Sequence, residues 1–339
     1  MAPETPYGYL LVHFVEDPIG HSEKIYLSLS IGDDPLKWRR LNNGEPILES
    51  VQGTTGVRDP HIIRGLDGTF HIVATDLRVW RPGGQDWELY RRHGSRDIII
   101  WDSPDLVHWS EARYVTVAPP NAGMAWAPET IYDPVTGEMV VHFASATFEA
   151  DDPDHLGPVL AKLWTTRTRD FHNFTPAEPY LELPGGVIDM TVANANGKVY
   201  RFAKQDDTEP NNPLLEAGLA SPGVRSMKVF QQRGSHIFSD DFETLASELG
   251  QNFAKNVEGP LIFQTNDKSR WYLWVDQYSH MPMGYNALTT TDLDSGVWEP
   301  VPSEDFQLPD NTKHGAVLPL TWEEYQRLDS FDFSVEGNA

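Results

Sequence analysis

Cysteine is absent from this 339-residue chain, which excludes disulfides and thiolate chemistry and leaves the folded state to packing and hydrogen bonding. Long apolar runs are absent too: nowhere do about eighteen apolar residues follow one another, so no transmembrane helix is expected. The opening residues, Met1-Ala2-Pro3-Glu4-Thr5-Pro6, lack the basic and apolar regions of a signal peptide. The chain is therefore expected to be cytoplasmic, or secreted with its leader removed. Cations are scarce, with 26 Lys and Arg against 50 Asp and Glu and a formal net charge of -24. Such a surface repels phosphate backbones and anionic lipids, so neither nucleic acid nor membrane is an expected partner. The 12 histidines show no paired ligand spacing, and no zinc site is expected. Helical periodicity is nearly missing as well: only Asp240–Asn252 and Trp322–Leu328 read as short helices.

Short strands fill the rest. Thr69–Thr75, Glu138–Ala144, Lys198–Ala203 and Arg270–Val275 are rich in Val, Ile, Phe, Tyr and Trp, and Gly, Pro, Asn and Asp separate such runs. With 26 Gly, 26 Pro, 11 Trp and 12 Tyr, the composition points to an all-β sandwich, barrel or propeller. Aromatics at this density pack sheets well, and any that reach the surface offer flat apolar faces to sugar rings.

Internal repeats choose the propeller. A strand end, an Asp-Leu or Asp-Phe pair and then an aromatic recur at Ile25–Trp38, Ile98–Trp109, Leu163–Phe174 and Ala287–Trp298, with a degenerate copy at His236–Leu245. The spacing of roughly fifty to seventy-five residues suits five four-stranded blades. A second phrase interleaves with the first, a polar residue opening an apolar strand. It occurs at Arg58-Asp59-Pro60-His61, Trp126-Ala127-Pro128-Glu129, Ile188-Asp189-Met190, Val257-Glu258-Gly259-Pro260 and Lys313-His314-Gly315. If each phrase opens the innermost strand of a blade, Asp59, Glu129, Asp189, Glu258 and His314 share one strand position and meet on the axis. Little chain follows His314, so the missing outer strands of the fifth blade are expected from Tyr7–Val15 and Lys24–Ser30. Closing the ring this way leaves no long open edge and makes residues 1–339 a single five-bladed β-propeller domain.

Three carboxylates on one axis suit glycoside hydrolysis with inversion. One activates water and another protonates the leaving oxygen, with the carboxyls roughly 6.5–9.5 Å apart. A third, close to the acid, raises its pKa by like-charge repulsion. On these phrases the chain resembles glycoside hydrolase family 43, the arabinofuranosidase, arabinanase and β-xylosidase family, over nearly its whole length. The resemblance implies a five-bladed propeller with Asp59 (Val57-Arg58-Asp59-Pro60) as base, Asp189 (Val187-Ile188-Asp189) as pKa modulator and Glu258 (Val257-Glu258-Gly259-Pro260) as acid. It also matches His314 to a fifth-blade His that helps hold a calcium ion or a water cluster, with no cofactor otherwise required. Asp-Pro alone is weak, occurring at Asp17, Asp34, Asp59, Asp133 and Asp152. The order and blade phase of all five phrases are what is specific.

Around these, Arg58, Trp126, Glu129 and His314 are candidate substrate-binding residues, each with a second reading. Arg58 is expected to orient a carboxylate more than to touch sugar. Trp126 lines the sugar site or packs between blades, and Glu129 reads equally as a contact or as a structural acceptor beneath the site. His93-Gly94-Ser95-Arg96, after the Trp80–Tyr90 loop, is a polar insertion that either caps the pocket or is surface loop. The expected partner is an oligosaccharide or polysaccharide side chain. The expected activity is exo-acting release of a terminal pentose or furanose, α-L-arabinofuranosyl first, then β-D-xylosyl or β-D-galactofuranosyl. Three rivals remain. The invertase clan lacks its Asn-Asp-Pro and Glu-Cys phrases here, and a mannoside phosphorylase lacks a basic cluster around the motifs. A carbohydrate-binding propeller without catalysis is the third.

Overall fold

The computed structural model describes residues 5–81, 83–206, 228–254, 256–278 and 281–336. Its first three strands, β1 (Pro6–Val15), β2 (Tyr26–Ile31) and β3 (Asp34–Arg40), form an incomplete sheet. Four complete sheets follow in order. Blade I holds β4 (Val57–Arg64), β5 (Phe70–Asp76), β6 (Asp97–Ser103) and β7 (Arg113–Thr116), and blade II holds β8 (Trp126–Asp133), β9 (Glu138–Ala146), β10 (Ala161–Thr168) and β11 (Glu178–Leu181). Blade III holds β12 (Val187–Ala195), β13 (Lys198–Gln205), β14 (Val229–Gly234) and β15 (Glu243–Leu249), and blade IV holds β16 (Val257–Gln264), β17 (Trp271–Gln277), β18 (Gly284–Thr290) and β19 (Glu299–Pro300). The last strand, β20 (Thr312–Thr321), pairs antiparallel with β1, Leu318 opposite Leu10, and completes blade V in the order β20-β1-β2-β3. The fold is a five-bladed β-propeller whose fifth blade joins both ends of the chain, as the strand count in the sequence requires.

Blades cohere through five apolar clusters, each between neighbours in the ring. Leu10, Ile25 and Leu27 of blade V meet Ile72, Ile99 and Trp101 of blade I, for example, and Tyr9 and Trp38 of blade V meet Phe263 and Trp274 of blade IV. The inner strands of a blade therefore bury most of both faces, and Phe70–Asp76 is buried throughout, His71, Thr75 and Asp76 included, while outer strands such as β15 and β19 stay largely exposed. The recurrent Asp-Leu/Phe phrase is the turn between the third and fourth strands of a blade. Leu106 and Phe171 both adopt positive φ, and the amides of Leu106 and Phe171 donate to Ser103 Oγ and Thr168 Oγ1 at 2.8 and 2.9 Å.

Helix is scarce, and one expected helix is absent. Asp240–Asn252 contains β15, with Thr244 and Ala246 paired to Gln232 and Gln231 of β14. The local helical pattern there yields to a ladder partner. Trp322–Ser330 does form a helix (α2), started by a capping box between Thr321 and Glu324. Inside the expected Trp80–Tyr90 loop a further helix, α1 (Trp87–His93), begins at the Asp86 cap, whose side chain accepts the Leu89 amide.

Candidate active site

Each innermost strand carries a bulge near its start, marked by a residue in the left-handed region: Asp59 (φ 50), Ala127 (φ 48), Asp189 (φ 51), Gly259 (φ 51) and His314 (φ 22). Pairing with the second strand slips there, as between Arg58 and His61 and between Glu258 and Leu261. A bulge releases amides from the ladder and re-aims side chains. Side chains on adjoining blades capture three of these amides: Ala127 N–H donates to Thr75 Oγ1 (2.7 Å), Gly259 N–H to Asp189 Oδ2 (3.2 Å) and His314 N–H to Asp276 Oδ2 (3.1 Å). The bulges thus stitch the ring and aim two consecutive residues at the axis.

That geometry revises the expected alignment. Asp59, Asp189 and His314 do share the bulge position, together with Ala127 and Gly259. Glu258 stands one residue earlier, in phase with Arg58, Trp126, Ile188 and Lys313. The earlier row, with Asp59, Asp189 and His314 of the bulge row, lines a single cavity of about 500 Å³ at one mouth of the axis. Glu129 falls two residues past its bulge and lies beneath this cavity, outside its lining. Of the candidate residues, Asp59, Asp189, Glu258, Arg58, Trp126 and His314 therefore converge.

Charges in the cavity are densely paired. Glu258 accepts hydrogen bonds from Lys313 Nζ (2.7 Å) and Lys204 Nζ (3.1 Å). Burial pushes its pKa up, yet the two ammonium groups outweigh burial and hold the carboxyl well below the usual range. Lys313 also contacts Asp276 Oδ1 at 3.1 Å and Glu16 Oε2 at 3.6 Å. For Asp59, burial is likewise overcome, by His314 and then Arg58, and its pKa is lowered. Its Oδ2 accepts from Thr75 Oγ1 at 3.0 Å. Asp189 goes the other way, raised chiefly by burial and further by Glu258 and Asp59. Arg58 donates to Glu23 (2.8 Å) and Glu16 (3.1 Å), so its guanidinium is held by carboxylates.

His314 Nδ1 lies 3.1 Å from Asp59 Oδ1. Burial disfavours its charge, but Asp59, Asp189 and Asp276 prevail and push its pKa up to about 10. The imidazolium is then itself the cation among these carboxylates. Among the described residues no three His, Asp or Glu side chains are arranged to hold a metal ion. With that cation in place, the described residues around His314 do not fit a calcium site, and the chemistry below uses none.

Several residues in the cavity wall or hydrogen-bonded to it escape motif reading. Thr75, Lys204 and Asp276 stand next to last in the second strands β5, β13 and β17, and in register they face Arg58, Ile188 and Glu258. A polar residue closing an apolar strand was the signal for all three. Glu16 comes from the end of β1, and Trp80 and Trp87 from the segment between β5 and β6.

A family model for glycosyl hydrolase 43-related proteins, described as "Probable glycosyl hydrolase domain", matches residues 5–326. The chain belongs to glycoside hydrolase family 43. An α-L-arabinofuranosidase from Bifidobacterium longum subsp. longum is 32% identical to this family 43 chain over 221 residues, 61% of the chain and 20% of that protein. The chain thus spans about a fifth of the length of that relative. Among solved structures, a thermostable family-43 glycoside hydrolase shares the fold at TM-score 0.50 and 14% identity, over 73% of this chain and 72% of that one. An α-L-arabinofuranosidase from Lactobacillus brevis aligns at TM-score 0.48 and 16% identity, over 78% and 90%.

Proposed function

We propose that this family 43 member is an inverting, exo-acting glycoside hydrolase that releases a terminal α-L-arabinofuranosyl residue. The supporting observation is the convergence of Asp59, Asp189 and Glu258, from three blades, on one cavity with Trp126 and His314 in its wall. Asp59, ionised and fixed by Thr75 and His314, takes a proton from water as the water oxygen bonds to the anomeric carbon. Glu258 gives its proton to the departing glycosidic oxygen, and solvent then resets both groups. Asp189, whose Oδ2 accepts the Gly259 amide, sets the charge beside the acid. The name of the B. longum relative supports arabinofuranose as the sugar; β-D-xylosyl and β-D-galactofuranosyl groups follow.

The acid role carries a condition. Lys204 and Lys313 hold Glu258 ionised in the free protein, so its proton must arrive as substrate separates it from these lysines, or from the small protonated fraction. In either case kcat/KM falls as pH rises above the acidic range. The test is turnover of aryl glycosides of arabinofuranose, xylose and galactofuranose by the wild type and Asp59→Ala. Turnover of one sugar, lost in the variant, supports the reading. Sugar binding without turnover on any of them would move the function to a carbohydrate-binding propeller.

A further inference from the structure

The cavity has a floor and an open side, and among the described residues one segment makes the open side. Among the described lining residues, only Gln85, Trp87 and Glu88 are exposed to solvent, and all three lie between β5 and β6, at or beside the start of α1. Trp87 is 43% exposed. It stands edge-on to Trp126, ring centroids 6.1 Å apart and planes at 77°, and edge-on to the buried Tyr90 at 5.7 Å and 81°. An aromatic ring left this open costs hydration that a packed ring avoids. Here it adjoins a buried Trp in a cavity wall, where an apolar ring face has something to bind.

Its support is built rather than loose. Tyr90 is buried in the cluster between blades II and III. Arg91 donates to the buried Asp206 of blade III at 2.8 Å, and Arg92 donates to the His155 and Gly157 carbonyls of blade II at 2.6 and 2.7 Å. The helix is thereby tied to two blades, which lowers the ordering cost of binding at Trp87.

We infer that Trp87 is the platform of a leaving-group subsite, stacking on the apolar face of the sugar ring next to the scissile bond. This rests on the hydrolase reading. A terminal sugar seated over Asp59 and Asp189 occupies the deep end, so whatever it is attached to must leave through the mouth, past Trp87. The ligand class is a neutral pyranose of an oligosaccharide. The flanking Glu88 and the overall charge of -24 disfavour an acidic one.

The experiment compares Trp87→Ala and Trp87→Phe with wild type on methyl α-L-arabinofuranoside and on an α-L-arabinofuranosyl xylotriose, with xylotriose binding followed by calorimetry. Trp87→Ala is expected to lose roughly tenfold or more kcat/KM on the oligosaccharide beyond its loss on the methyl glycoside, mainly through KM, since a stacked ring is of the order of a buried apolar side chain. Trp87→Phe should recover most of that. Equal losses on both substrates, or none, overturn the subsite. If wild type cleaves neither, the arabinofuranosidase reading fails, and xylotriose binding decides the platform: weakened in Trp87→Ala it stands, unchanged or undetectable in wild type it falls.

Discussion

At the mouth of the axis Glu258 lies between Lys204 and Lys313, Arg58 between Glu16 and Glu23, and Asp59 against His314. Deeper along these strands, and on β9 where His142 pairs with Glu129, the polar groups are nearly alone. Glu129 has one hydrogen bond from Thr191, and the closest His61 nitrogen is 3.8 Å away. Both ring nitrogens of His142, Nδ1 of His61 and the Thr130 hydroxyl have no hydrogen-bond partner among the described residues. The upper layer keeps its charges and pairs them; the lower layer gives its charges up. Burial pushes Glu129 up to about 8 and pushes His61 and His142 down to about 3. The difference follows from reach. Where the bulges open the strands, charged side chains from neighbouring blades and from the second strands can meet, whereas inside the regular ladder Glu129 is paired across the strands with His142, which offers it no hydrogen bond.

The largest break comes from the upper layer's reactive member. Asp59→Asn keeps the shape but removes the base, and kcat is expected to fall roughly 10²–10⁴-fold while sugar affinity, read by calorimetry, stays near wild type. Residual turnover near wild type would refute the base. Lys313→Met attacks the pairing itself, because Glu16, Glu258 and Asp276 share that one ammonium group. Stripping a buried partner costs about 3–5 kcal/mol, so the denaturant midpoint should drop sharply. A midpoint within error of wild type would mean the network is dispensable.

Lys204→Met is gentler, since this ammonium group lies against Glu258 from the end of β13. Losing one of two nearby cations raises the carboxyl pKa, so Glu258 keeps its proton to higher pH. The descending alkaline limb of kcat/KM should move to higher pH by about a unit or less. A limb that stays still, or moves down, would argue that Glu258 is not the group whose proton is transferred.

These two layers differ in how much of them the sequence shows. The propeller, its closure by both termini and the meeting of Asp59, Asp189, Glu258 and His314 were legible because each strand opening repeats a polar residue before an apolar run. The bulge was not, since it lives in φ and pairing register, and so Glu129 was placed level with the carboxylates it lies beneath. Lys204 and Asp276 were hidden because the second strand of a blade reads as core until its last two residues. α1 was hidden by Gly83 and Gly84, which mark a loop, although Asp86 and the Glu88–Arg92 pair already carry a helix start.

The smallest effect sharpens the contrast most, because it asks whether the lower layer is neutral. Glu129→Gln replaces a protonated carboxyl with a neutral group of the same shape. In the wild type the folded pKa, about 8, lies above the unfolded value of 4.5. Its contribution to stability is therefore complete below pH 4.5 and is lost as pH rises through about 8. Gln has no proton to lose. The variant should melt close to wild type at pH 5 and above it at pH 9, read as the difference between two thermal melts. His61 and His142 run in the opposite sense: their folded pKa values, about 3, lie below 6.5, so their contribution is present above pH 6.5 and lost as pH falls toward 3. Glu129→Gln leaves that acid slope intact, so a variant equal to wild type at pH 9 would show that Glu129 is ionised and paired, and that the two layers are alike.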